Sequence, residues 1–254
     1  MTVVGVLHPG EMGAAVAGVL RERGEAVLWA SAGRSAATIE RAQGAGLEDA
    51  GEIGELCRRC EILLSVCPPH AAMDVARAAS SFPGIYVDAN AIAPDTAREI
   101  ARLQPRFVDG GIVGPPPRER GTTRLYLSGA GAELVAELFA GTNVDARVIS
   151  AEPGAASALK AAYAGWTKGS AALLLTAREL ARAEGVEAAL LEEWRLSIPE
   201  LEDRLAGAER SARRKGWRWI GEMEEIARSM AARDLPTGCH QASAEVFRRS
   251  AEES

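Results

Sequence analysis

The chain has 254 residues, 47% of them hydrophobic and 25% charged, and a formal net charge of −6. That length suits two soluble globular domains. The acidic balance excludes nonspecific nucleic-acid binding and leaves the Arg213-Arg214-Lys215 cluster as a solvated helix end. No apolar run approaches the ~18 residues of a membrane span, and the chain enters a strand without a basic leader, so a cytoplasmic protein with no membrane partner is expected.

The β-branched run Val3, Val4, Val6 predicts a strand over Val3–Leu7, and the apolar spacing after it predicts a helix over Glu11–Arg23. Between them lies the turn His8, Pro9, Gly10, Glu11, Met12. Such a turn gathers free backbone N–H groups at the positive end of a helix dipole, which suits a pyrophosphate. Gly10 lets backbone approach phosphates, and Gly13 lets the helix pack closely on the strand. His8 stands where G-x-G-x-x-G has its first glycine. The same two glycines would also serve a strand–helix corner that binds nothing.

The second strand, Ala26–Ala30, ends in LWASAGRS. Dinucleotide folds place an acid there to hold the adenosine ribose hydroxyls. Here Ala30 and Ser31 take the position, with Arg34 and Ser35 following. The missing carboxylate removes repulsion toward a 2′-phosphate, and a guanidinium and hydroxyls supply donors for one, favouring NADP(H) over NAD(H). The alternative is a polar loop with one surface arginine. A helix over Ser35–Ala45 follows. Cys57 and Cys60 form a C-x-x-C at a helix end entering a strand, so a structural role is expected. His8, His70 and His240 lack metal-ligand spacing, and no metal is expected.

Strands over Ile62–Val66, Ile85–Asp88, Arg106–Asp109 and Leu125–Ser128 alternate with helices over Ala71–Ala79 and Pro94–Leu103, predicting an α/β fold with a doubly wound, mostly parallel sheet. The strand ends carry Cys67 and Pro68, then Asn90, then Asp109-Gly110-Gly111-Ile112-Val113-Gly114. Ligands of open α/β sheets sit beyond these ends. Cys67 and Pro68 are therefore cofactor-side candidates, and Asn90 can both donate to and accept from a ribose or carboxamide. Gly114, with Gly110 and Gly111, lets backbone approach a ligand. Such Gly/Pro runs also make plain turns, the better reading of Pro115–Pro117.

After Val148 no strand signal follows. One long helix is expected over Ala155–Glu184, then helices near Glu187–Leu205, Gly221–Arg233 and Gly238–Glu252, with breaks at Pro199, Gly216 and Leu235-Pro236. Residues 1–150 thus read as a Rossmann-type domain and 151–254 as an all-helical one. On the long helix Lys160, Tyr163, Ala164, Thr167 and Lys168 recur at i, i+3, i+4, i+7 and i+8, sharing one face. An amine among Ala and Leu is a candidate general acid/base, since desolvation lowers an amine's pKa toward working pH. A snorkelling surface lysine is the ordinary alternative.

Together the glycine turn, the Pro68-Pro69 pair, D-x-N-x-x-x-P from Asp88, D-G-G-I-V-G from Asp109 and G-x5-K ending at Lys160 resemble the β-hydroxyacid dehydrogenases, relatives of 3-hydroxyisobutyrate and 6-phosphogluconate dehydrogenases. The last hundred residues, with RWIGEMEEIARSM and GCHQASAEVFRR, are similar to the short C-terminal domain of a phosphogluconate dehydrogenase-like subgroup. The resemblance implies hydride transfer between nicotinamide and a small hydroxy acid or its keto counterpart, with Lys160 as the catalytic lysine and the helical domain forming a homodimer. The chain departs from the family at three places: His8 in the turn, Val113 where a substrate-binding serine is usual, and Tyr163 with Ala164 where asparagines are usual. Val113, Gly114, Tyr163 and Lys168 are then the candidate substrate contacts. An imine reductase on the same scaffold, or a protein that binds NADP(H) without turnover, are the other expectations.

Overall fold

The computed structural model describes residues 1–252. They divide into two compact units, Met1–Lys160 and the residues from Ala161 onward.

The first unit is built on β1 (Val3–Val6), β2 (Ala26–Trp29), β3 (Glu48–Asp49), β4 (Ile62–Ser65), β5 (Ile85–Asp88), β6 (Phe107–Val113), β7 (Thr123–Ser128) and β8 (Val144–Ser150). They form one sheet in the order β3-β2-β1-β4-β5-β6-β7-β8. Every neighbouring pair is parallel except β6 with β7. The first six strands have the doubly wound dinucleotide-fold order, which reverses direction between β1 and β4.

The helices of this unit are α1 (Glu11–Arg23), α2 (Ala36–Gly44), α3 (Ile53–Arg59), α4 (Ala72–Ala78), α5 (Pro94–Leu103) and α6 (Ala132–Glu137). Successive strand residues point to opposite faces, and each face has its own apolar core. Val4, Val6, Val27, Trp29, Ile62, Leu64, Ile85 and Val87 pack with residues of α1, α2 and α6. Leu28, Leu63, Tyr86 and Phe107 pack with residues of α3, α4 and α5. Cys57 and Cys60 are free, buried in that second core, where burial raises both thiol pKa values.

α7 (Ala155–Ala183) starts in the first unit and continues into the second, which adds α8 (Glu187–Ser197), α9 (Leu201–Ala231) and α10 (Gly238–Glu252). The second unit's core joins Ala164 and Ala172 of α7, Ala212, Met223 and Ile226 of α9, and Ala244 and Phe247 of α10. Trp219 meets Phe247 edge-on at 5.0 Å between ring centroids.

The doubly wound sheet and helical second half stand as expected, but several elements do not. β3, α6 and β8 lie outside the expected elements, whereas α3 is the helix whose end carries Cys57 and Cys60 as expected. β3 is two exposed acidic residues, and β8 is an edge strand without a continuous apolar run. β6 continues through Gly110-Gly111 to Val113, paired with β7, and each glycine faces backbone that a Cβ would crowd. The helix expected to reach Leu205 ends at Ser197, just before Pro199. α9 runs unbroken through Gly216, which lies buried beside the Phe247 carbonyl. Tertiary packing there outweighs the roughly 1 kcal/mol helix penalty of glycine.

Candidate active site

The sheet collects the expected residues at the carboxyl ends of its parallel strands. At the end of β1 the His8 carbonyl accepts a hydrogen bond from the Gly10 N–H at 2.8 Å. A Cβ on Gly13 would lie 2.3 Å from that oxygen, so only glycine lets α1 start this close to the strand. A Cβ on Gly10 would meet nothing within 4 Å, so the space before the turn is open. Pro9 is buried, Met12 packs against the core, and Glu11 is exposed in the first turn of α1.

His8 and Arg34 come together from the ends of β1 and β2. Burial first, and the Arg34 charge second, push the His8 imidazole down to about 4, so it is neutral at neutral pH. Its Nδ1 and the Arg34 Nε are both buried without a hydrogen-bond partner among the described residues. Buried polar atoms are ordinarily paired, so two orphans in one corner mark a place for a polar ligand. Ser35 precedes α2, its hydroxyl 3.1 Å from that of Thr38. Ser31 faces Asp49 at the end of β3. Sequence reasoning found no acid at the end of β2 and missed this one: the sheet brings it in from a neighbouring strand that carries no apolar signal.

Cys67 and Pro68 follow β4, and Asn90 follows β5. The Asn90 carboxamide serves the protein: Oδ1 accepts from the Cys67 N–H, and Nδ2 donates to Ser65 Oγ (3.1 Å) and Asp88 Oδ2 (2.9 Å). Asn90 thus braces the ends of β4 and β5. Asp88 is fully buried, and that burial pushes its carboxyl up to about 7 against the lowering effect of the Asn90 hydrogen bonds. Burial likewise pushes the Cys67 thiol to about 12, so it is no thiolate at neutral pH.

Lys160 comes to the same edge. Its Nζ donates to the Ile112 carbonyl of β6 at 2.6 Å, and its Cβ lies 3.1 Å from where a Cβ on Gly111 would stand. Val113 is 2% exposed at the end of β6. Gly114 has φ +120°, and a Cβ there would lie 2.1 Å from the Thr122 carbonyl oxygen, so the β6–β7 turn itself demands glycine.

Farther along α7 the shared face expected from spacing divides. Tyr163 is 47% exposed, whereas Ala164 is buried in the helical core. Lys168 pairs with Glu222 of α9, with its ammonium 5.5 Å from the Trp219 ring centre. Burial lowers its pKa although Glu222 raises it. Lys168 therefore serves a packed ion pair of the second unit. The spread of the five side chains around α7 is wider than one contact surface, which spacing alone does not reveal.

The doubly wound sheet, the open glycine turn and the lysine held on β6 define a Rossmann-type dinucleotide fold followed by a helical domain. Residues 181–250 match the family described as domain of unknown function DUF1932. The conserved protein MTH1747, of unknown function and described as structurally similar to 3-hydroxyacid dehydrogenases, is 30% identical over 98% of this chain and 97% of its own, with a TM-score of 0.76. A 3-hydroxyisobutyrate dehydrogenase of Mycobacterium tuberculosis shares the fold at 16% identity, with a TM-score of 0.76 over 100% of this chain and 94% of its own. A reductive aminase of Aspergillus terreus in complex with NADPH shares it at 20% identity, with a TM-score of 0.62 over 100% and 95%. The chain belongs to the β-hydroxyacid dehydrogenase family, in the branch of MTH1747.

Proposed function

We infer that the protein is an NADP(H)-dependent oxidoreductase of a small hydroxy acid or its keto counterpart, with Lys160 as general acid/base. The observation that carries this reading is the placement of Lys160. α7 lays its ammonium against the backbone of β6, at the sheet edge where the glycine turn ends β1 and where open α/β sheets bind ligands. The residues present fit the cofactor: the turn has room before Gly10, and His8 Nδ1 and Arg34 Nε are buried donors or acceptors awaiting a partner. His8, Pro9, Gly10, Glu11 and Met12 would hold the pyrophosphate. Arg34 with Ser31 and Ser35 would hold a 2′-phosphate, and Cys67, Pro68 and Asn90 would border the nicotinamide side.

When bound, the cofactor supplies or accepts a hydride. Lys160 gives a proton to the developing alkoxide on reduction, or takes the hydroxyl proton on oxidation. Gly114, Val113, Tyr163 and Lys168 are proposed on the substrate side. Gly114 would act through its backbone and the exposed Tyr163 through its hydroxyl, whereas Lys168 is held in its ion pair with Glu222. An imine in place of the ketone is the second reading, favoured by the fold likeness to an NADPH-bound reductive aminase.

The homodimer is part of this reading. Trp166, Leu173 and Leu180 are 70%, 69% and 63% exposed and recur every seven residues along α7, an apolar stripe that a second copy would cover.

NADPH oxidation against a panel of keto acids, semialdehydes and cyclic imines tests the function, with Lys160→Ala and Lys160→Met as controls. Turnover that survives in both variants refutes the role of Lys160. Tight NADPH binding with no turnover across the panel supports a binding protein instead.

A further inference from the structure

The Asp109 carboxyl group is fully buried on β6, an interior strand of the sheet. Its Oδ2 accepts from Ser128 Oγ (3.0 Å) and from the Ser157 N–H (2.9 Å), and its Oδ1 accepts from Ser157 Oγ (2.5 Å). Ser128 Oγ in turn accepts from the Ala156 N–H at 3.0 Å. Asp109 and Ser128 are register partners across β6 and β7, so a single rung of the sheet holds both. The first turn of α7 thus has two of its unpaired N–H groups bound to the sheet, and the anion lies at the positive end of the helix dipole.

Two residues farther along β6, on the same face of the strand, lies Gly111. A Cβ there would stand 2.9 Å from the Ala156 carbonyl oxygen and 3.1 Å from the Lys160 Cβ. The next residue, Ile112, accepts the Lys160 ammonium. Consecutive positions of one strand therefore draw the helix in at Asp109, stop it at Gly111 and hold the lysine head at Ile112. Lys160 lies one turn beyond Ser157 on a rigid helix, so a shift at the first turn is carried to its amine.

We propose that Asp109, acting with Ser128 and Ser157, is a positioning residue that locks the first turn of α7 to β6 and so sets where the Lys160 ammonium stands. The functional importance of this lock rests on the reading of Lys160 as the proton carrier; the lock itself does not.

The chain has three lysines, Lys160, Lys168 and Lys215, so reductive ¹³C-methylation gives three ε-amine signals and one from the N-terminus. A dimethylated amine keeps one N–H for the Ile112 carbonyl. Spectra of the full-length protein without cofactor are compared for wild type, Ser157→Ala and Asp109→Asn, with Lys160→Arg assigning the signal. The Lys160 resonance is expected to move toward its position in the urea-unfolded chain in both variants. The Lys168 resonance, set by Glu222 and the Trp219 ring, should stay in place and report an intact helical unit. A Lys160 signal unmoved in both variants overturns the proposal. If Asp109→Asn also loses the Lys168 signal it has unfolded, and Ser157→Ala decides alone. With a turned-over substrate, kcat should fall roughly 10- to 100-fold in Ser157→Ala while the Kd for NADPH holds. Where Lys160→Met has abolished turnover of that substrate, an unchanged kcat in Ser157→Ala overturns the proposal as well. The spectra need no turnover, so failure of the dehydrogenase reading leaves the test of the lock intact.

Discussion

Gly13→Ala is the sharpest test of the glycine turn. The added Cβ would lie 2.3 Å from the His8 carbonyl oxygen, roughly 1 Å inside the 3.4 Å at which ordinary contact begins. That oxygen cannot swing aside, because it ends β1 and accepts the Gly10 N–H. α1 must therefore retreat from the strand by about that distance, at an overpacking cost of about 1–3 kcal/mol. For a unit of this size that corresponds to about 2–4 °C of Tm per kcal/mol. The retreat also spreads the N–H groups proposed to hold the pyrophosphate, so NADPH should bind on the order of tenfold or more weakly. The control is Gly18→Ala on the same helix, whose Cβ would come no nearer than 4.0 Å to the Ala45 Cβ. It should leave NADPH binding alone and stabilise the protein by roughly 0.5–1 kcal/mol. Thermal unfolding and fluorescence titration with NADPH measure both. Wild-type Tm and affinity in Gly13→Ala would refute the argument.

Arg34→Ala should weaken NADPH by about 10- to 100-fold, the worth of a charge-assisted hydrogen bond, with little effect on NADH; equal losses for the two in paired titrations would remove the 2′-phosphate assignment. Asp88 predicts a pH effect. Its folded pKa near 7 lies above the ordinary 3.8, so the folded state keeps the proton longer. Its contribution to stability is fully present below about pH 4 and is lost as pH rises through about 7, an amount on the order of 4 kcal/mol. The stability difference between wild type and Asp88→Asn in urea should narrow or reverse across that window, and a pH-independent difference contradicts the buried-carboxyl account. Leu173→Ser removes one exposed leucine from each copy of the proposed two-fold interface, which should weaken the proposed dimer by roughly 100-fold or more. Sedimentation that shows unchanged mass at low micromolar concentration would count against the α7 stripe as the contact.

Local chemistry wrote much of this molecule legibly. Apolar runs bounded by Gly and Pro mark the central strands because those strands are buried on both faces, and the Ala-rich spacing of α1 and α7 marks their helices. The turn from His8 to Gly13 and the lysine at 160 stand out because few residue types can do what they do there. Edge elements left no such trace: β3 shows only two exposed acids, and Asp49 meets Ser31 only because the sheet sets those strands side by side. Gly216 looks like a break and is a packing contact, since the nearness of the Phe247 carbonyl is invisible along the chain. Lys160 and Lys168 share a helical spacing, yet one holds the β6 backbone and the other pairs with Glu222. The sequence by itself determined the central strands, the amphipathic helices and the residue types able to carry chemistry, because these follow from period, propensity and side-chain inventory. Only the tertiary structure decided which groups are spent on one another: Asn90 on Asp88, and Asp109 on the first turn of α7. Burial and hydrogen bonding depend on partners distant in the chain, and those partners meet only in the folded sheet.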